Sequence, residues 1–164
     1  MGTLRTLVVV VFLALTLGGC SFLGSKEPEL MNWEPALSPD GSTLAYESVV
    51  DGHLDLFAKT LSSGEVVRLT ENDDEDWSPA WSPDGQYLAF ATSRNGNADV
   101  FILHMATREA RALTADPHDD INPHWGSDGL IYFNSNRSGA WEIYAVSPDG
   151  TGLTHLGSPP LDTP

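Results

Sequence analysis

The chain has 164 residues, is 41% hydrophobic and carries a formal net charge of −15 with a single cysteine. This composition suits one folded domain and excludes a disulfide framework. It also leaves too few Lys and Arg to neutralise nucleic-acid phosphates or to adhere electrostatically to an anionic lipid surface. The first 19 residues hold no acid and one base, Arg5, so the remainder carries a net −16. Its partners are expected to be neutral, basic or cationic.

At the amino terminus, Leu7 to Thr16 is an apolar run behind one positive charge. It is too short for the roughly 20 residues a spanning helix needs, and it reads as a signal peptide. Met1 to Thr6 also fits the myristoylation pattern, but the apolar run directly behind it argues against that reading. The run ends in Leu17-Gly18-Gly19-Cys20, which resembles the lipobox of bacterial lipoproteins. That resemblance implies lipidation of Cys20, with residues 1–19 removed and 20–31 serving as lipidated cysteine and tether. It further implies that Ser21 directs the protein to the outer membrane of a Gram-negative cell, facing the periplasm. Acyl chains, at about 0.8 kcal/mol per buried methylene, would then anchor it without a spanning helix.

From residue 32 onward a period organises the chain. Ser38-Pro39-Asp40-Gly41 recurs 44 residues later as Ser82-Pro83-Asp84-Gly85, and again as Gly126-Ser127-Asp128-Gly129. Pro35, Pro79 and Pro123 keep the same step. After Gly129 one residue is missing, and the matches step by 43: Tyr46, Phe90, Phe133; Phe57, Phe101, Tyr144; Leu69, Leu113, Leu156. Each unit reads as four short strands with apolar residues alternating, as in Tyr87 to Ala91, and no segment has a helical period. Pro-Asp-Gly turns the chain after the first strand, and Asp51-Gly52, Asn95-Gly96 and Ser138-Gly139 turn it between the second and third. Ser147-Pro148-Asp149-Gly150 falls half a repeat out of step and belongs between the third and fourth strands of the last unit.

The expected fold is all-β: three four-stranded antiparallel propeller blades over 32–70, 71–114 and 115–158, followed by a tail, 159–164. The run from Pro79 to Phe90, with Ser93 to Gly96 and Asp99 to Phe101, resembles the TolB-type propeller repeat and is similar to the propellers of prolyl-oligopeptidase-type enzymes. Propellers close with about four to eight blades, so three do not make a ring. A homodimer joined head to tail into six blades is one solution. An open arc, a ring completed by a partner and a fragment of a longer propeller are the others.

Blade topology gathers the inter-blade connections and the second hairpin turns at one end, and that end is acidic. Glu71, Asp73, Asp74 and Glu75 in one connection, with Asp116, His118 and Asp119 in the next, form a candidate binding rim for a basic protein segment or for calcium; a solvated charge run is the plainer alternative. Asp76 and Asp120 share one repeat position and Arg94 and Arg137 another, whereas blade one has Asn32 and Val50 there. Because both charges vanish together, Asp76 is expected to pair with Arg94 and Asp120 with Arg137 as structural ion pairs. His118 and His124 lack zinc-site spacing, and no metal or other cofactor is expected. Trp81 and Trp125 suit packing between blades, and Trp33 and Trp77 suit a channel mouth.

No Gly-x-Ser-x-Gly elbow or phosphate-cradling glycine loop is present, so no catalytic residue is assigned. The expected function is that of a non-enzymatic, lipid-anchored, periplasm-facing surface for an envelope protein partner, without nucleic acid. The alternatives are a small-ligand or calcium-binding module and a propeller fragment.

Overall fold

The computed structural model describes residues 35–158. The leader, Cys20, the tether, Asn32, Trp33 and the tail 159–164 lie outside the described residues. The described chain forms twelve strands in three four-stranded antiparallel meanders. The first contains β1 (Ala36–Leu37), β2 (Thr43–Val50), β3 (His53–Thr60) and β4 (Val66–Arg68). The second contains β5 (Asp76–Trp81), β6 (Tyr87–Thr92), β7 (Asp99–His104) and β8 (Ala110–Ala112). The third contains β9 (Asp120–Trp125), β10 (Ile131–Ser135), β11 (Glu142–Val146) and β12 (Thr154–Gly157). Among the described residues the three sheets do not close a ring.

The turns form where the local chemistry requires them. Gly41, Gly85 and Gly129 close the Asp-Gly turns at φ of 73°, 70° and 85°, a region that costs a side chain roughly 1–2 kcal/mol. Ser38 Oγ donates to Asp40 Oδ1 at 2.6 Å and accepts from the Thr43 amide at 2.9 Å. Ser82 does the same for Asp84 and Tyr87, at 2.6 and 2.9 Å. In the first strands, β5 and β9, the residue before the shared proline is left-handed: Ser78 and Asn122 both have φ of 52°. This bulge breaks the β5–β6 register between Trp77 and Ala80.

Alternation along the strands sends two apolar faces into two seams. Ala45, Leu56, Ala58 and Leu69 of the first sheet pack on Leu88, Phe90, Phe101 and Leu103 of the second. Ala89, Val100 and Ile102 then pack on Trp125, Ile131, Phe133, Tyr144 and Val146 of the third. Trp81 crosses the first seam and donates Nε1 to the Ala36 carbonyl at 3.0 Å. Burial of these side chains at about 25 cal/mol per Å² is the main force holding each sheet to the next.

The outer faces differ from the seams. Leu37, the counterpart of Trp81, is 54% exposed, and Leu156, the counterpart of Leu69, is 51% exposed. Blade three places Tyr132 where the others have Ala45 and Ala89, and exposed Trp141 where they have Leu54 and Ala98. The Tyr132 ring leans over the Asp-Gly turn, so that a Cβ on Gly126 would lie 2.7 Å from its Cε2. This explains why Gly126 replaces the turn serine.

Candidate functional site at the connection end

The inter-blade connections and the β2–β3, β6–β7 and β10–β11 turns meet at one end of the sheets. Glu75 accepts the Leu54 amide through Oε2 at 2.8 Å, tying the first connection to blade one. Its carbonyl accepts from the Ser93 amide at 3.0 Å. One blade later Asp119 makes the same kind of tie, accepting from the Ala98 amide at 3.1 Å and from Asn136 Nδ2 at 3.1 Å. Asn97 Nδ2 donates to the Asp116 and His118 carbonyls at 3.1 and 2.6 Å. The connections are thus fastened to the hairpin turns of the preceding blade.

Beneath them lie buried ion pairs. Asp76 is fully buried and receives Arg94 Nη2 at 2.9 Å, while Arg94 Nε donates to Thr92 Oγ1 at 3.0 Å. Asp120, also fully buried, receives Arg137 Nη2 at 2.8 Å, and Arg137 Nε donates to Ser135 Oγ at 2.8 Å. Each guanidinium lies over aromatic rings of its own blade, Arg94 4.6 Å from the Phe101 centroid and Arg137 4.9 Å from that of Tyr144. That geometry adds a cation–π contact to the charge pairing. Blade one has Val50 in the arginine position, and Ser48, the counterpart of Thr92 and Ser135, keeps a buried Oγ without a hydrogen-bond partner.

The candidate rim residues therefore divide. Glu75 and Asp119 are engaged in holding blades together, and Asp116 lies between Arg137 Nη2 at 2.7 Å and His118 Nδ1 at 2.8 Å. Glu71 and Asp73 are exposed and Asp74 is half-buried, and together these three present the open charge of the first connection. Among the described residues, no group of three or more His, Cys, Asp or Glu side chains is arranged to hold a metal ion. Trp77 is half-buried on β5.

Sequence reasoning missed three features at this end. The second set of buried acids, Asp55 and Asp99, lies in the third strands at one repeat position. Glu47 is buried and accepts the Ser78 amide at 2.9 Å across the first seam. Arg68, at 2.5 Å from Asp55, gives blade one an ion pair at a different repeat position from the other two.

Residues 22–158 match the family model described as the TolB beta propeller domain. No curated protein matches the chain. Among solved structures, a TolB from Agrobacterium tumefaciens superposes with a TM-score of 0.69 at 23% identity, over 77% of this chain and 50% of its own. TolB from Acinetobacter baumannii gives 0.67 at 26% identity, over 76% and 31%. A puromycin hydrolase gives 0.64 at 22% identity, over 76% and 22%. The chain spans half or less of the length of each of these proteins.

Proposed function

The chain belongs to the TolB beta propeller domain family, and from that premise we propose that it is a non-enzymatic module that makes protein contacts at its connection end. The observation that carries this reading is the fastened acidic rim. Glu75 fixes the first connection to blade one, and Asn72 braces it by donating to Asp76 and accepting the Asp74 amide, so Glu71, Asp73 and Asp74 are presented from a held backbone. A preorganised negative surface suits a basic segment of a protein partner, because little ordering entropy remains to be lost on docking. The finer reading places this surface in the periplasm, on a protein lipidated at Cys20 and held at the outer membrane, in contact with an envelope protein.

Calcium binding at the same rim is the competing reading. A calorimetric titration of the full chain with calcium separates the two: absence of heat at micromolar ion supports the protein-contact reading, and clear heat overturns it.

Pairing of two copies into six blades draws on the uncovered ends, where Leu37 is exposed on one side and Leu156 on the other, although their counterparts Trp81 and Leu69 lie in a seam. A solution mass of twice the chain supports that assembly. A strictly monomeric species rules it out.

A further inference from the structure

Each blade carries an acid in the first half of its third strand, Asp55, Asp99 and Glu142, and the three are partnered in different ways. Asp55 receives Arg68 Nη2 at 2.5 Å and Thr70 Oγ1 at 3.3 Å. Glu142 meets His155 Nε2 at 2.8 Å. In blade two the position of Arg68 and His155 is taken by Ala112. Asp99, 1% exposed, is left with the Asn95 amide at 2.8 Å and the Thr114 hydroxyl at 3.4 Å, and with no cation among the described residues.

A second change falls in the same seam. Asn72 Nδ2 donates to Asp76 at 2.6 Å, but its counterpart one blade later is Asp116. In the first seam, Asp55 and Asp76 are therefore matched by Arg68 and Arg94. In the second, Asp116 and Asp120 share Arg137 while Asp99 is paired with neither guanidinium nor imidazolium, with His118 on Asp116 and Asp119 bonded to the Ala98 amide and Asn136. At the positions of Asp55, Arg68, Asn72, Asp76 and Arg94, losing one guanidinium and gaining one carboxylate leaves the second seam two negative charges richer, whereas the more exposed Glu71, Asp73 and Asp74 give way to Ala115, Pro117 and His118.

We propose that the seam between blades two and three is a proton-operated joint, in which a proton on Asp99 takes the place of the guanidinium that Arg68 gives Asp55. Burial pushes the Asp99 carboxyl above its ordinary range; the Asn95 and Thr114 bonds oppose this, and the Asp120 and Asp116 charges add to it, whereas at Asp55 the same upward push of burial is opposed by the Arg68 bond and charge. A group whose folded value is raised contributes stability that is complete below the unfolded value, about 3.9, and is lost as pH rises through the folded one. Ionised Asp99 would be a buried, cation-free charge beside Asp120. The links most directly exposed to it are the Asp120 amide on the Ala98 carbonyl, at 2.7 Å, and Asn97 on the His118 carbonyl, at 2.6 Å. The joint thus couples pH to how firmly the connection 115–119 is held, whatever that rim binds.

The test uses the full-length chain and two readouts between pH 4 and 8: the carboxyl-carbon resonance of Asp99 and the hydrogen-exchange protection of the Asp120 amide. The Asp99 resonance is expected to titrate above the ordinary aspartate value. Asp120 protection is expected to fall as pH rises past that point, by up to about tenfold per pH unit. Asp99→Asn should abolish this fall, and Ala112→Arg should reduce it by supplying the missing guanidinium. Titration of Asp99 at or below the ordinary value, or a wild-type pH slope retained in either variant, overturns the proposal. Should Asp99→Asn not fold, the wild-type titration and Ala112→Arg decide it alone.

Discussion

The Tyr132 hydroxyl donates to Asp128 Oδ2 at 2.7 Å, doing for the third Asp-Gly turn what Ser38 and Ser82 do for Asp40 and Asp84 at 2.6 Å. The tyrosine reaches the turn from the outer face of blade three, and Gly126 gives it room. Gly126→Ser alone is expected to cost about 1–3 kcal/mol, since the new Cβ meets both the ring and the Asp128 carboxylate. Adding Tyr132→Ala should recover most of that loss by restoring the serine-capped turn. Urea unfolding of the two single variants and the double variant checks the coupling.

Ser48 and Ser135 occupy one repeat position with opposite expectations. Ser48 Oγ is buried without a partner, so Ser48→Ala is expected to leave stability unchanged or raise it by about 1 kcal/mol. Ser135 Oγ accepts Arg137 Nε at 2.8 Å, so Ser135→Ala should lower stability by about 1–3 kcal/mol, because a charged donor loses its acceptor. Chemical unfolding midpoints measured side by side report both.

Arg137 lies between two acids and over two rings, with its side chain 16% exposed. Arg137→Ala is expected to destabilise by about 3–5 kcal/mol, since it leaves fully buried Asp120 without its cation. The double variant Asp120→Asn with Arg137→Ala should lose less than the sum of the single losses, which a double-mutant cycle measures.

The turn aspartates contribute to stability against acid. Bonds from Ser82 and the Gln86 amide hold Asp84 below the ordinary carboxylate range, and bonds from Ser38 and Ser42 do so for Asp40. A depressed folded value gives stability that is present above the unfolded value, about 3.9, and lost as pH falls through the folded one. Asp84→Asn is therefore expected to lower stability at neutral pH and to flatten the loss below pH 4. Thermal unfolding midpoints against pH show both effects.

Much of the architecture is legible because a period fixes register. Once Pro-Asp-Gly and its successors are aligned, Tyr87 to Ala91 must be a strand, and Ser147 to Gly150 must turn between β11 and β12. The presence of both Asp76 and Arg94 in blade two and of both Asp120 and Arg137 in blade three, with neither charge in blade one, likewise marks positions where the structure brings opposite charges within 2.9 Å. Other features depend on neighbours distant in sequence. Asp55 finds Arg68 on another strand and at a repeat position its siblings do not use. Glu75 and Asp119 look like members of a charge run, yet each accepts a backbone amide from the preceding blade's turn region, which no local pattern discloses. Tyr132 and Gly126 are legible only as a pair, because the glycine has a reason only once the ring is seen to lean over it.

The most direct test of the account is photo-crosslinking in intact cells from a probe residue placed at Asp73, compared with one at Ser63, in the turn between β3 and β4 at the far end of blade one. A protein adduct formed from Asp73 and not from Ser63, and abolished when Glu71 and Asp74 are changed to lysine, is the result the protein-contact reading requires. Equal adducts from both sites, or none from Asp73, would contradict it.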